Sequence, residues 1–128
     1  TFTADESFRF AQDMLTANPG LRLIFVQSDQ QAIGVARAVK AARRDGQVLV
    51  AAFDGTPELL QAIKDGAIVG SGMQQPYLMG ATAAKLLTAK LSGDTPPKEE
   101  MVEIMTVTRE TAESKADQIR LNVFANNP

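Results

Sequence analysis

Residues 48–57 read Val48-Leu-Val-Ala-Ala-Phe-Asp-Gly-Thr-Pro57, six apolar residues that give way at once to a polar turn. The apolar run leaves no gap for a solvent-facing side and is too short for a helix, so it reads as a strand. Asp54 to Thr56 form the turn after it. Thr56 has the side-chain oxygen that an N-cap needs, and Pro57 stands at the first helical position, where its missing N–H goes unnoticed. Leu59, Leu60 and Ile63 then mark a helix that stops at Asp65 and Gly66. A buried strand, a polar tip and a capped helix follow one another within twenty residues.

The same unit recurs on both sides. Upstream, Phe8, Ala11, Met14 and Leu15 have helical spacing between Asp5 and Ala17, and Asn18, Pro19 and Gly20 end the pattern. Leu21 to Val26 is a short apolar run that suits a strand buried on both sides; Ser28 and Asp29 supply N-cap chemistry after it. Ile33, Val35, Ala36, Val39 and Ala42 carry a second helix to Arg44, closed by Asp45 and Gly46. Downstream, Ile68 to Met73 is a third strand, with Gly70 and Gly72 marking close packing or a bend. Pro76 opens a helix whose apolar face is Met79, Ala83, Leu86, Leu87 and Leu91. After a loop at Gly93 to Pro97, a fourth strand over Met101 to Val107 precedes a polar helix near Glu110 to Arg120 and a frayed Ala125 to Pro128. Strands alternating with helices through short loops predict the α/β class: a parallel sheet with helices on both faces and right-handed crossovers.

Composition narrows the function. The chain has 128 residues, 45% hydrophobic and 22% charged, with a formal net charge of −2, as one globular core would have. It contains no cysteine and no histidine, which removes thiolate nucleophiles, histidine-based dyads and the zinc sites built on those ligands. No cofactor motif is present: there is no glycine-rich run with the spacing of a phosphate loop or a dinucleotide fingerprint. The densest basic cluster, Lys40, Arg43 and Arg44, falls at a helix end, where positive charge complements the macrodipole, so nucleic acid is not expected as a partner. The sequence begins at Thr1 without Met, in the approach to a helix, so processing or truncation is expected to have created that end.

In an open parallel sheet, ligands bind beyond the carboxyl ends of the strands, where loop side chains and helix N-termini converge. Here those tips are Gln27, Ser28 and Asp29; Phe53, Asp54 and Gly55; and Met73, Gln74 and Gln75. Asp54 is a carboxylate with about four acceptor sites, suited to two neighbouring hydroxyls of a polyol, with Gly55 beside it to let a ligand approach. A local role, as an Asx turn or helix cap, is the competing reading. Gln74 can both donate and accept, or simply be a polar residue at the start of a helix. Ser28 is a weaker candidate, because an N-cap role explains it equally well.

Phe25-Val-Gln-Ser-Asp-Gln-Gln-Ala-Ile-Gly34, Val50-Ala-Ala-Phe-Asp-Gly-Thr-Pro57, Asp65-Gly66 and Met73-Gln-Gln-Pro76 resemble, in order and spacing, the ribose-type periplasmic binding proteins of ABC transporters. The effector domains of lactose-repressor-type regulators look related and form the alternative; a phospho-acceptor signalling domain using Asp54 is a further one. The resemblance implies the C-terminal part of a type I periplasmic-binding-protein fold, with the N-terminal lobe missing. Residues 1–75 would belong to the C-terminal lobe, 76–100 to a hinge crossing and a helix packed on the other lobe, and 101–128 to a return strand and C-terminal helix. It implies sugar contacts at Asp54 and at Gln74, the latter also a hinge position. Ser28 stands where the family commonly has a ligand-binding Asn, with shorter reach and one donor fewer. Phe2 falls near the family's sugar-stacking aromatic. It further implies a periplasmic, non-enzymatic protein that closes around a monosaccharide or polyol and delivers it to a membrane importer. A chain of this extent alone would leave the Tyr77 to Leu91 helix and a sheet edge uncovered, which predicts association with the missing lobe or a homodimer.

Overall fold

The computed structural model describes residues 3–125. Its elements are α1 (Ala4–Ala17), β1 (Leu23–Val26), α2 (Asp29–Ala41), β2 (Leu49–Phe53), α3 (Pro57–Lys64), β3 (Gly70–Met73), α4 (Pro76–Leu91), β4 (Met105–Thr108), α5 (Ala116–Gln118) and a π-helical turn, π1, at Ile119–Val123. The strands form one sheet in the order β1-β2-β3-β4. This is the alternating α/β architecture that the sequence predicts.

β1, β2 and β3 are parallel, with Val26 opposite Ala52 and Phe53 opposite Gly72. β4 departs from the all-parallel expectation: it runs antiparallel to β3, pairing Met105 with Met73 and Val107 with Ser71. The chain leaves the sheet from the tip of β3, travels along α4, and returns beside the point it left. A strand that starts at the tip end must run the other way. Gly70 lies where the carbonyl of Val107 crosses, 2.9 Å from the place a Cβ would occupy, so close packing explains that glycine.

Burial is one-sided at the β1 edge. Ile24, Val26, Val50 and Ala52 are buried, while Leu23, Phe25 and Leu49 on the opposite face are about half exposed or more. The expectation of a first strand buried on both sides is therefore corrected: α2 and its neighbours cover one face, and no described element covers the other at β1. The covered face continues through Ser71, Met73, Met105 and Val107, and Leu59 and Ile63 of α3 are fully buried against the same core. Burying a side chain of that size contributes roughly 1.5–3 kcal/mol.

Two contacts fix the helices. Gly34 lets α1 lie directly on α2, since a Cβ there would stand 2.0 Å from the Ala4 carbonyl oxygen. The Arg44 guanidinium donates to the carbonyls of Leu15, Asn18, Pro19 and Leu21, closing the C-terminal end of α1 and the turn into β1. α2 itself ends at Ala41, three residues before the expected Arg44, because Arg43 turns the backbone into the left-handed region (φ +54°). The C-terminal helix also differs from expectation. Residues 109–115 form turns, and helical structure begins only at Ala116. The Thr111 hydroxyl accepts from the Thr108 N–H and thereby favours a turn at that point.

Candidate ligand-binding site

Asp54 is built into the tip of β2 by β3. Its N–H donates to the Gly72 carbonyl (3.0 Å), and its own carbonyl accepts from the hydroxyl of the buried Ser71 (2.6 Å). Between these bonds its backbone takes a left-handed turn (φ +71°). The helix cap is supplied elsewhere: Thr56 Oγ accepts from the Leu59 N–H at 3.3 Å. Asp54 is thus not the cap of α3. One carboxylate oxygen accepts from Gln74 Nε2 at 2.5 Å, and the other has no partner among the described residues.

Asp54 and Gln74, the two strongest candidates from the sequence, meet in one open cavity of about 390 Å³, lined also by Asp29, Gly55, Pro76, Met79 and Val123. That volume lies within the range of small-molecule sites. Its polar groups are two carboxylates and an amide, with no basic residue among the lining, and Met79 and Val123 add an apolar side. Such a surface offers acceptors to hydroxyl protons and an apolar contact to C–H groups. Hydrogen bonds to charged groups of this kind are worth roughly 1.5–3 kcal/mol.

The other candidates fall differently. Ser28 sits at the N-cap position of α2 but makes no side-chain cap bond; its hydroxyl donates to Gln31 Oε1 at 3.3 Å. It is not among the cavity-lining residues, whereas its neighbour Asp29 is. Phe2 lies outside the described residues. The sequence reading did not single out Met79 or Val123 as part of the cavity. Met79 belongs to the apolar helix face expected from the sequence, and nothing in the local sequence of Val123 ties it to Gln74, 49 residues away. A second groove of about 400 Å³ runs between α2 and α3 over Val48, Leu49 and Val69, near the amino ends of the strands. It lacks the convergent strand tips beyond which ligands bind in open parallel sheets.

At the tips of its parallel strands the sheet presents a carboxylate and an amide to one crevice, the place where open α/β sheets take up ligands. The chain belongs to the family described as the periplasmic binding protein domain, whose model matches residues 2–95. It is 33% identical over 93 residues to the ribose import binding protein RbsB of Salmonella typhimurium, covering 73% of this chain and 31% of that protein. It is 35% identical over 105 residues to the D-allose-binding periplasmic protein of Escherichia coli, covering 77% of this chain and 34% of that one. Among solved structures, it is similar to an ABC transporter periplasmic solute-binding protein of Actinobacillus succinogenes with bound D-allose, with a TM-score of 0.82, 27% identity, and 88% of this chain and 40% of that one covered. The chain spans about a third of the length of these curated relatives.

Proposed function

We propose that this chain forms one wall of a site for a monosaccharide or related polyol in an ABC-type import binding protein. The observation that carries the reading is the Asp54–Gln74 pair at adjacent parallel strand tips, facing one cavity with Asp29. Asp54 would accept two hydroxyl protons of the ligand, and Gln74 Oε1 would accept a third. Ligand contacts from an opposing lobe would then favour the closed form over the open one, and that differential affinity is the whole driving force for closure. The names of the relatives support a periplasmic location and delivery to a membrane permease. They are import binding proteins, which favours this reading over a transcription regulator. A phospho-acceptor role has little support: among the described residues no three carboxylates gather to hold a metal ion, and no lysine lines the cavity.

α4 supports the two-lobed reading. It is rich in apolar residues, yet none of its residues is buried, and Leu87 and Leu91 are 60% and 81% exposed. Its cover would be a second lobe of the same polypeptide. The test is a melting scan of the complete gene product against pentoses, hexoses and polyols. A ligand-specific rise in melting temperature is expected; no shift across the panel overturns the proposal. Sedimentation of the same sample separates a second lobe, which leaves a monomer, from cover by a second copy.

A further inference from the structure

The tip of β1 meets the cavity through Asp29, one residue beyond the candidate that the sequence offered there. The Ser28 hydroxyl proton is committed to Gln31 Oε1 at 3.3 Å, and Ser28 is not among the lining residues. Asp29 is. It is the first residue of α2 and half-buried, and its Oδ1 accepts from the Gln30 N–H at 2.8 Å. A bond to the backbone of the very next residue orients the carboxylate without using it up. Oδ2 has no partner among the described residues. An ionised carboxylate has about four acceptor sites, so most of its capacity is left for a ligand.

β1 and β2 are adjacent and parallel, with Val26 opposite Ala52, so Asp29 and Asp54 stand on neighbouring tips that open the same way. Each hydroxyl has a single proton to give, so two carboxylates about one strand spacing apart, roughly 4.8 Å, address different hydroxyls. No basic residue lines the cavity to neutralise either one. We propose that Asp29 is a specificity-determining ligand contact: Asp29, not Ser28, is the β1-tip partner, and it accepts a hydroxyl proton from a carbon that Asp54 does not serve. The inference rests on reading this cavity as a polyol site, and it narrows the ligand to polyols that present donors to this wall at two separate positions. A carboxylate in the first turn of a helix also complements the helix dipole. That role acts on stability and is blind to which hydroxyl a ligand carries, so the two are separable.

The test is a residue-by-hydroxyl cycle on the complete gene product, read by titration calorimetry. The probes are the sugar or polyol that raises the melting temperature in the scan and its monodeoxy analogues. Asp29→Ala should weaken binding of the parent compound about tenfold, as loss of one charge-assisted hydrogen bond implies. Removing one particular hydroxyl should then cost this variant almost nothing, while it costs the unaltered protein about tenfold. In Asp54→Asn the hydroxyl whose removal costs less should be a different one. Ser28→Ala should match the unaltered protein with every analogue. Should Asp29→Ala fail to fold, Asp29→Asn, which keeps the shape and loses the charge, gives the same pattern with a smaller amplitude. No loss of affinity in Asp29→Ala overturns the proposal, and so does a loss that is equal for every analogue or coupled to the hydroxyl that Asp54 serves. In each of those cases a polyol still binds, and the function proposed above stands. If no compound in the panel binds the unaltered protein, that function fails and this inference fails with it.

Discussion

The Gln74 side-chain amide donates to the Asp54 carboxylate at 2.5 Å, joining the tips of β2 and β3 across the mouth of the crevice. The pair comes preassembled, since Asp54 is pinned by two further bonds to Ser71 and Gly72. A preorganised pair loses little freedom when a ligand arrives.

Asp54→Asn should therefore lower polyol affinity by about 10- to 100-fold, the equivalent of losing a charged hydrogen bond worth roughly 1.5–3 kcal/mol. Gln74→Ala should cost less, about 3- to 10-fold, because a neutral contact is weaker. Titration calorimetry on the complete gene product measures both, and equal affinities for Asp54→Asn and the unaltered protein would remove Asp54 from the site.

The two helix starts give opposite expectations. Thr56 caps α3 through its hydroxyl, so Thr56→Ala should destabilise the fold by about 1 kcal/mol. Ser28 makes no such bond to α2, and Ser28→Ala should stay within about 0.5 kcal/mol. Urea unfolding of the two variants side by side checks the difference.

Gly34→Ala should be far more damaging than a helix-favouring substitution normally is. The new methyl would meet the Ala4 carbonyl and the Ser7 hydroxyl at 2.0 and 2.2 Å. Backbone cannot swing aside as a side chain can, so α1 must lift from α2 at a cost of about 3 kcal/mol, the upper end for overpacking. Unfolding curves should show the loss, and amide exchange should show it concentrated in α1.

The Glu110 carboxyl is held below its ordinary value of about 4.5, first by the Thr108 hydroxyl and then by a backbone hydrogen bond. The folded form thus binds this proton less tightly than the unfolded chain. Its small contribution to stability is complete above the ordinary value and disappears as pH falls through the lower folded value. A carboxyl-carbon NMR titration should give the depressed midpoint, and Thr108→Val should return it toward 4.5.

Much of this molecule was legible from local sequence. Pro76 to Leu91 is a helix with the predicted ends, and Thr56 with Pro57 marked the start of α3 correctly, because capping is decided within four residues. The tips bearing Asp54 and Gln74 followed from where apolar runs stop. The direction of β4 was not legible, for Met105 pairs with Met73 only because α4 brings the chain back to where it left. Nor were Leu23 and Phe25 readable as exposed, since an apolar residue states a preference for cover and not whether cover is present. Val123 joined the cavity through a turn stabilised by Asn122 and Gln75, residues 47 apart in the chain. Such contacts leave no periodic trace.

The left-handed backbone at Asp54 also limits how this site could change over evolutionary time. Only glycine, asparagine and aspartate stand comfortably at such a φ, so mutation can sample few alternatives there without disturbing the strand tip. New ligand preferences would have to arise instead at Asp29, Gln74, Met79 or Val123, whose backbones carry no such restriction. Position 54 would stay within that small set while the positions around it drift.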